Sequence, residues 1–176
     1  MFTTVRWALA VGLVALMGCA AGTMSNAGTR PPARPCRTAQ LHGSFRNPDA
    51  GAGQRYVQLV LTNIAKVPCS VSGYPSLALI GADGQGIPTR VVQSSGAPVG
   101  RLTISPGHRI SSVLHWIGIP LSDEAQTGLC EPTPSHVNIT PPGEATSLSV
   151  DWSPLDPVCG HGEIDARPLR PGVPSP

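Results

Sequence analysis

Charge is scarce in this chain of 176 residues: Lys, Arg, Asp and Glu make up 12% of it, about half the usual globular share. Lysine occurs once, at Lys66, and basic residues form no run. A formal net charge of +2 without such a run lacks the electrostatic footprint of a nucleic-acid binder, so no nucleic-acid partner is expected. Aromatic residues, at 4%, are too few to build a stacking platform for bases or sugars. Motifs of chemistry are missing too: the sequence holds no G-x-S-x-G elbow, no phosphate-cradling glycine loop and no closely spaced zinc cysteine pair. The one apolar run, residues 7–17, falls short of the roughly 20 residues that a comfortable membrane span needs.

Turn formers are abundant instead. Gly and Pro contribute 20 residues each, which excludes a mostly helical body and suits many short strands joined by tight turns. The clearest strand is 54–64, where Val57, Leu59 and Leu61 share one face and Tyr56, Gln58, Val60 and Thr62 the other. Further strands are expected at 39–45, 76–80, 89–93, 101–104, 109–117, 135–140, 147–152 and 163–167. Between them lie turn signals such as Gly73-Tyr74-Pro75, Asp83-Gly84, Pro106-Gly107 and Pro141-Pro142-Gly143. About nine strands at this spacing predict an all-β fold, an antiparallel, immunoglobulin-like β-sandwich over 36–168, with a closed barrel as the alternative. Trp116 and Trp152 fall on predicted strands and Tyr74 in a turn, which reads as packing against the core or its rim.

The first 18 residues have the pattern of a signal peptide: Arg6 precedes the short apolar run, and Leu16-Met17-Gly18-Cys19 follows it. That last segment resembles the bacterial lipobox, with Met17 departing from the commoner small or β-branched residue. The resemblance implies cleavage before Cys19 and a diacylglycerol on its sulfur, a membrane partner reached through a lipid anchor. Residues 19–35, rich in Thr, Ser, Pro and Ala, are expected to be a disordered tether, and 169–176 a disordered tail.

With Cys19 assigned to a lipid, four of the five cysteines remain: Cys36, Cys69, Cys130 and Cys159. In an exported chain an even four reads as two disulfides. Spacing does not choose among the three connectivities. Pairing neighbours in sequence, Cys36 with Cys69 and Cys130 with Cys159, is preferred because each pair brackets a strand-rich stretch. Each such bridge would contribute roughly 3–4 kcal/mol through loop closure.

Several segments are similar to one family. Residues 56–63, YVQLVLTN, then 68–75, PCSVSGYP, then 102–107, LTISPG, then Cys130-Glu131-Pro132 and 137–143, VNITPPG, resemble the actinobacterial domain of unknown function 4232. The segments run in order across nearly all of 36–168, and the C-x-x-x-G-Y-P element is the most specific. The resemblance implies a secreted protein or lipoprotein and brings no chemistry with it.

The search for reactive groups ends in scattered residues. Asp123-Glu124 sit in a predicted loop and are expected to face solvent rather than form an acid–base pair. His42, His108, His115, His136 and His161 are dispersed, and only convergence of His42, His115 and His136 in space would make a copper or zinc site. Asn138-Ile139-Thr140 matches a glycosylation sequon that a bacterial lipoprotein has no need of. The expectation is therefore an extracytoplasmic, lipid-anchored binding module for an envelope protein, glycan or lipid, with no catalytic residue and no cofactor. A copper-binding protein is the alternative. A hydrolase is the third reading, and it requires a serine within reach of a histidine in an open cleft.

Overall fold

In a computed structural model, described over residues 31–94, 98–152 and 155–173, the chain forms a β-sandwich. A single 3-10 turn, Thr38–Gln40, leads into the strands. These are β1 (Leu41–Gly51), β2 (Gln54–Asn63), β3 (Cys69–Val71), β4 (Ser76–Ile80), β5 (Arg90–Gln93), β6 (Leu102–Ile104), β7 (Arg109–Ile117), β8 (His136–Thr140), β9 (Leu148–Asp151), β10 (Glu163–Ala166) and β11 (Arg170–Pro171). The larger sheet runs β1-β2-β7-β10-β5, with β11 also paired to β7, and the second runs β4-β8-β9. A short pair, β3-β6, stands apart from both. Among these strands every pairing is antiparallel except that of β5 with β10, which is parallel.

The period-two pattern of β2 decides which face turns inward. Val57, Leu59 and Leu61 oppose Leu114, Ser112 and Ile110 of β7, and all six are buried. They pack against Leu77, Leu79, Val137, Ile139 and Val150 of the second sheet in one continuous core. Side chains from two inner faces interdigitating in this way are what hold a sandwich together. Few aromatics are present, and three of them meet at one spot: Trp152 lies 5.2 Å from Trp116 and 5.5 Å from Phe45, centroid to centroid. Each indole N–H is satisfied, Trp116 by the carbonyl of Pro157 and Trp152 by that of Asp156.

The bridges are Cys36–Cys69 and Cys130–Cys159, as preferred. The first fastens the incoming chain to β3, where Ser70 N donates to the Arg34 carbonyl and Cys36 N to the Ser70 carbonyl. Residues 33–35, assigned above to the tether, are thus part of the body: Ser70 Oγ donates to the Ala33 carbonyl, and Pro35 bridges Ser70. The far boundary also moves. Leu169 is buried and Arg170–Pro171 pairs with Ser111 and Ile110, so the body continues past 168. Pro171 has no N–H to donate, and Gly172 N, donating to the Arg109 carbonyl, carries the pairing past it.

Two other local features differ from the sequence reading. β1 starts at Leu41 rather than Ala39 and continues to Gly51, because a bulge between Arg46 and Asp49 absorbs Asn47 and Pro48. Ala52 and Gly53, with φ of 49° and 79°, then make the two-residue turn that returns the chain into β2. β3, only three residues long, escapes any periodicity test.

Gly162 marks where backbone approach is closest. A Cβ built there would stand 1.9 Å from the Pro88 carbonyl oxygen, and its φ is +74°. Gly162→Ala is therefore expected to cost more than about 2 kcal/mol, combining left-handed strain with a backbone clash. A denaturant melt of the variant beside the parent checks this, and an unchanged midpoint would contradict the geometry.

Candidate functional site

The register that buries one face of the large sheet aligns a polar row on its other face. Asp49 opposes Tyr56, Tyr56 opposes His115, His115 opposes Asp165, and Asp165 opposes Val92. Neighbouring side chains in such a row stand about 5 Å apart, close enough to interact. The Tyr56 ring stacks on the His115 imidazole at 4.5 Å, tilted by 24°. His115 Nδ1 lies 3.1 Å from Asp165 Oδ2, which accepts its N–H. Nε2 faces the side-chain amide of Gln54, a group whose two ends can present either an acceptor or a donor. A recess of about 420 Å³ opens here, lined by Tyr56, Val92, Ser94, His115, Asp165 and Arg167. Rigid strands rather than loops hold every side chain of the row. The recess can bind a small polar group through hydrogen bonds, with the tyrosine ring as an apolar wall.

Of the other histidines, His42 lies on the outer face of β1 opposite Thr62. That row is six residues along β2 from the His115 row, or about 20 Å. His136 is on β8 in the opposite sheet. His42, His115 and His136 therefore do not converge, and among the described residues no three His, Cys, Asp or Glu side chains form a group able to hold a metal ion. His108 is exposed in the turn before β7, its Nδ1 3.1 Å from the Pro106 carbonyl.

A serine does lie against a histidine. Ser135 Oγ is 2.9 Å from His136 Nδ1, yet it is also 3.1 and 3.0 Å from the carbonyl oxygens of Ile80 and Gly81. Two carbonyls at that distance would repel an oxygen whose proton pointed elsewhere. The hydroxyl thus donates to the backbone and accepts from Nδ1–H, the reverse of the polarity a nucleophile needs. It closes the ends of β4 and β8.

Asp123 and Glu124 part company. Asp123 is exposed and meets His161 Nε2 at 3.1 Å. Glu124, expected in solvent, has a side chain only 4% exposed, because its carboxylate accepts N–H bonds from Leu121, Gly160 and His161 at 2.7, 3.1 and 2.9 Å. Gly160 and His161 both adopt positive φ, which turns these donors toward it. Burial works to raise the proton affinity of Glu124. The three backbone N–H groups, with His161 nearby, outweigh that and hold its carboxyl below the ordinary value. The clamp sits beside Cys159 and secures the loop that leads to Cys130.

The motif residues acquire roles in this geometry. Asn63, fully buried at the end of β2, donates to the Val67 and Ile104 carbonyls and accepts from Ala65 N. Gly73 at φ +118° offers its carbonyl to Leu169 N, while Tyr74 donates its hydroxyl proton to the Ser94 carbonyl. The L-T-N and G-Y-P segments are thus junctions that tie β2, β6 and the C-terminal segment together. A family model described as domain of unknown function (DUF4232) matches residues 36–170, the span these junctions organise. The chain belongs to the DUF4232 family. No curated protein and no solved structure matches it. In this DUF4232 domain the quoted motifs maintain the fold, and the His115 row lies outside them apart from Tyr56. Sequence reasoning noted His115 and Tyr56 singly. It missed Gln54, Asp165 and Arg167 as their companions, since only strand pairing joins residues so far apart. Cys19 lies outside the described residues.

Because Glu124 binds its proton less readily in the folded state, its contribution is present above the ordinary glutamate value of about 4.3 and lost as pH falls through the lowered one. Glu124→Gln is expected to be less stable near neutrality by about 1–2 kcal/mol. Its stability should also fall less steeply on acidification than that of the parent. Denaturant melts over a pH series test both, and parallel curves for the two proteins would refute the clamp.

Proposed function

We propose that this chain is a cell-envelope lipoprotein, anchored through diacylglycerol on Cys19, whose DUF4232 sandwich is a non-enzymatic binding module. The observation that carries this reading is the cysteine pairing: Cys36 with Cys69 and Cys130 with Cys159. Two such bridges belong to an oxidising compartment outside the cytoplasm. They leave Cys19 as the odd sulfur, directly after an apolar run and the lipobox-like Leu16-Met17-Gly18. The binding part of the reading is supported by the strand-held recess at His115, whose polar groups converge on space large enough for a small polar moiety. Its occupant would be an exposed group of an envelope protein, glycan or lipid.

Intact mass spectrometry of the protein recovered from a bacterial membrane fraction tests the anchor. The expected species begins at Cys19 and carries diacylglycerol, and Cys19→Ser should shift the protein from the detergent phase to the aqueous phase. An unmodified first residue at any other position would overturn it. For the module, His115→Ala should lose partners that the parent captures from intact cells while keeping the parent's melting curve.

A further inference from the structure

Between Pro32 and Pro176 the sequence holds ten cations and ten carboxylates, so the body is neutral as a whole. The two signs are unevenly distributed. β2 and β7 run the length of the large sheet, and their rows define two poles. The pole at Asn63 and Arg109 gathers Lys66, Arg101, Arg109 and Arg170, all exposed. Arg34 and Arg37, also exposed, flank Cys36 at the same pole, where the chain joins β3. One carboxylate is nearby, Glu144, and it is engaged by the backbone N–H and hydroxyl of Thr38. The opposite pole, at Gln54 and Ile117, carries Asp123, Glu124, Asp156, Glu163 and Asp165. Among the described residues the arginine ion pairs, Arg55–Asp156 and Arg90–Glu163, are both at that acidic end.

Two more observations concern the basic pole. Lys66 sits in the turn after β2 between Ile64 and Val67, which are 62% and 56% exposed. Exposed apolar side chains flanking a cation in this way suit the boundary between headgroups and acyl chains, where the lysine stem lies along apolar surface and its ammonium stays wet. Beside the turn is a recess of about 610 Å³ lined by Arg101, Ile104, His108, Arg109, Ile110 and Val173. Its lining contains no carboxylate. A phosphate entering it would meet two guanidinium groups, which match its oxygens in geometry as well as charge.

We infer that the basic pole, centred on Arg101, Arg109 and Lys66, docks on an anionic phospholipid surface and takes a headgroup phosphate into the recess between β6 and β7. The choice of a membrane as occupant rests on the lipid anchor proposed above. Twelve residues, Cys19 to Arg30, precede the described chain, a reach of at most about 43 Å. The chain joins the body at the basic pole, so this is the end held nearest the membrane. Docking there turns the acidic pole and the His115 recess away from the bilayer, toward partners in the envelope.

The test uses the chain from residue 19 with Cys19→Ser. It carries no lipid but retains both bridges and the whole core, which is drawn from residues between Cys36 and Leu169. Co-sedimentation with vesicles containing phosphatidylglycerol should exceed that with purely zwitterionic vesicles by on the order of tenfold or more at low salt. The difference should shrink sharply at high ionic strength. Arg101→Glu combined with Arg109→Glu should abolish the difference, the milder Arg101→Gln with Arg109→Gln should reduce it severalfold, and Arg90→Glu at the acidic pole should leave it unchanged. These side chains are exposed, and matching thermal melts establish that each variant is folded. Equal binding to both kinds of vesicle, parental binding by the double variants, or binding to a soluble acidic glycan in place of vesicles would each overturn the proposal. Vesicle binding with an unmodified Cys19 in cells would remove the anchor and leave the surface standing. A lipidated Cys19 with no preference for anionic vesicles would do the reverse.

Discussion

The ladder between β2 and β7 governs everything else in this domain. Nine residue pairs, from Gln54 with Ile117 to Thr62 with Arg109, set the register of the two central strands. A slip of β2 by one residue would exchange its faces, taking Val57, Leu59 and Leu61 off the core side and turning Tyr56 into the core. The same ladder that fills the core from Val57, Leu59 and Leu61 therefore aligns the row of Tyr56, His115 and Asp165 on the opposite side. It also separates the basic from the acidic end by the length of the strands. Core, recess and polarity are three consequences of one register.

What the ladder does not hold, covalent and ionic fastenings do. The Cys36–Cys69 bridge fixes the incoming chain against β3 at one pole. At the other, Cys130–Cys159 and the Glu124 clamp fix the long connection between β7 and β8, which contains no strand or helix. Long connections without regular structure close at an entropic cost that a cross-link lowers in the unfolded chain. With two staples, a body poor in charge and aromatics can maintain a well-ordered pocketed surface. Buried Asn63 and the Gly73 carbonyl serve the same end through hydrogen bonds alone.

The strands at 76–80 and 109–117 could be read in the sequence to the residue, because turn formers bound them: Gly73-Tyr74-Pro75 and Gly81 around the first, Pro106-Gly107 and Gly118 around the second. Most other boundaries shifted by one or two residues. The failures have local causes. Asn47-Pro48 reads as a break, yet a bulge lets β1 continue through it. Cys69–Val71 is too short to show a period, and its strand character comes from pairing with β6. Residues 169–171 read as the start of a tail because Pro168 and Pro171 bracket Leu169-Arg170, yet Leu169 is buried in the core. Glu124 looked like a solvent-facing acid since its partners, the N–H groups of Gly160 and His161, are created by a backbone turn far along the chain.

The sequence by itself determined the all-β class, the inward face of β2, the preference for neighbouring cysteines as partners, and the membership announced by the L-T-N and G-Y-P segments. The class and the inward face follow from local alternation and turn chemistry, the cysteine preference from neighbours in sequence bracketing strand-rich stretches, and the membership from a resemblance of motifs; none of these needs knowledge of the partner strand. Only the tertiary structure decided that His115 meets Tyr56, Gln54 and Asp165, that His42 and His136 stay apart, and that the cations gather where the chain enters. Those facts depend on which strands pair and in what register, a long-range choice set by burying one common core rather than by any short stretch of residues.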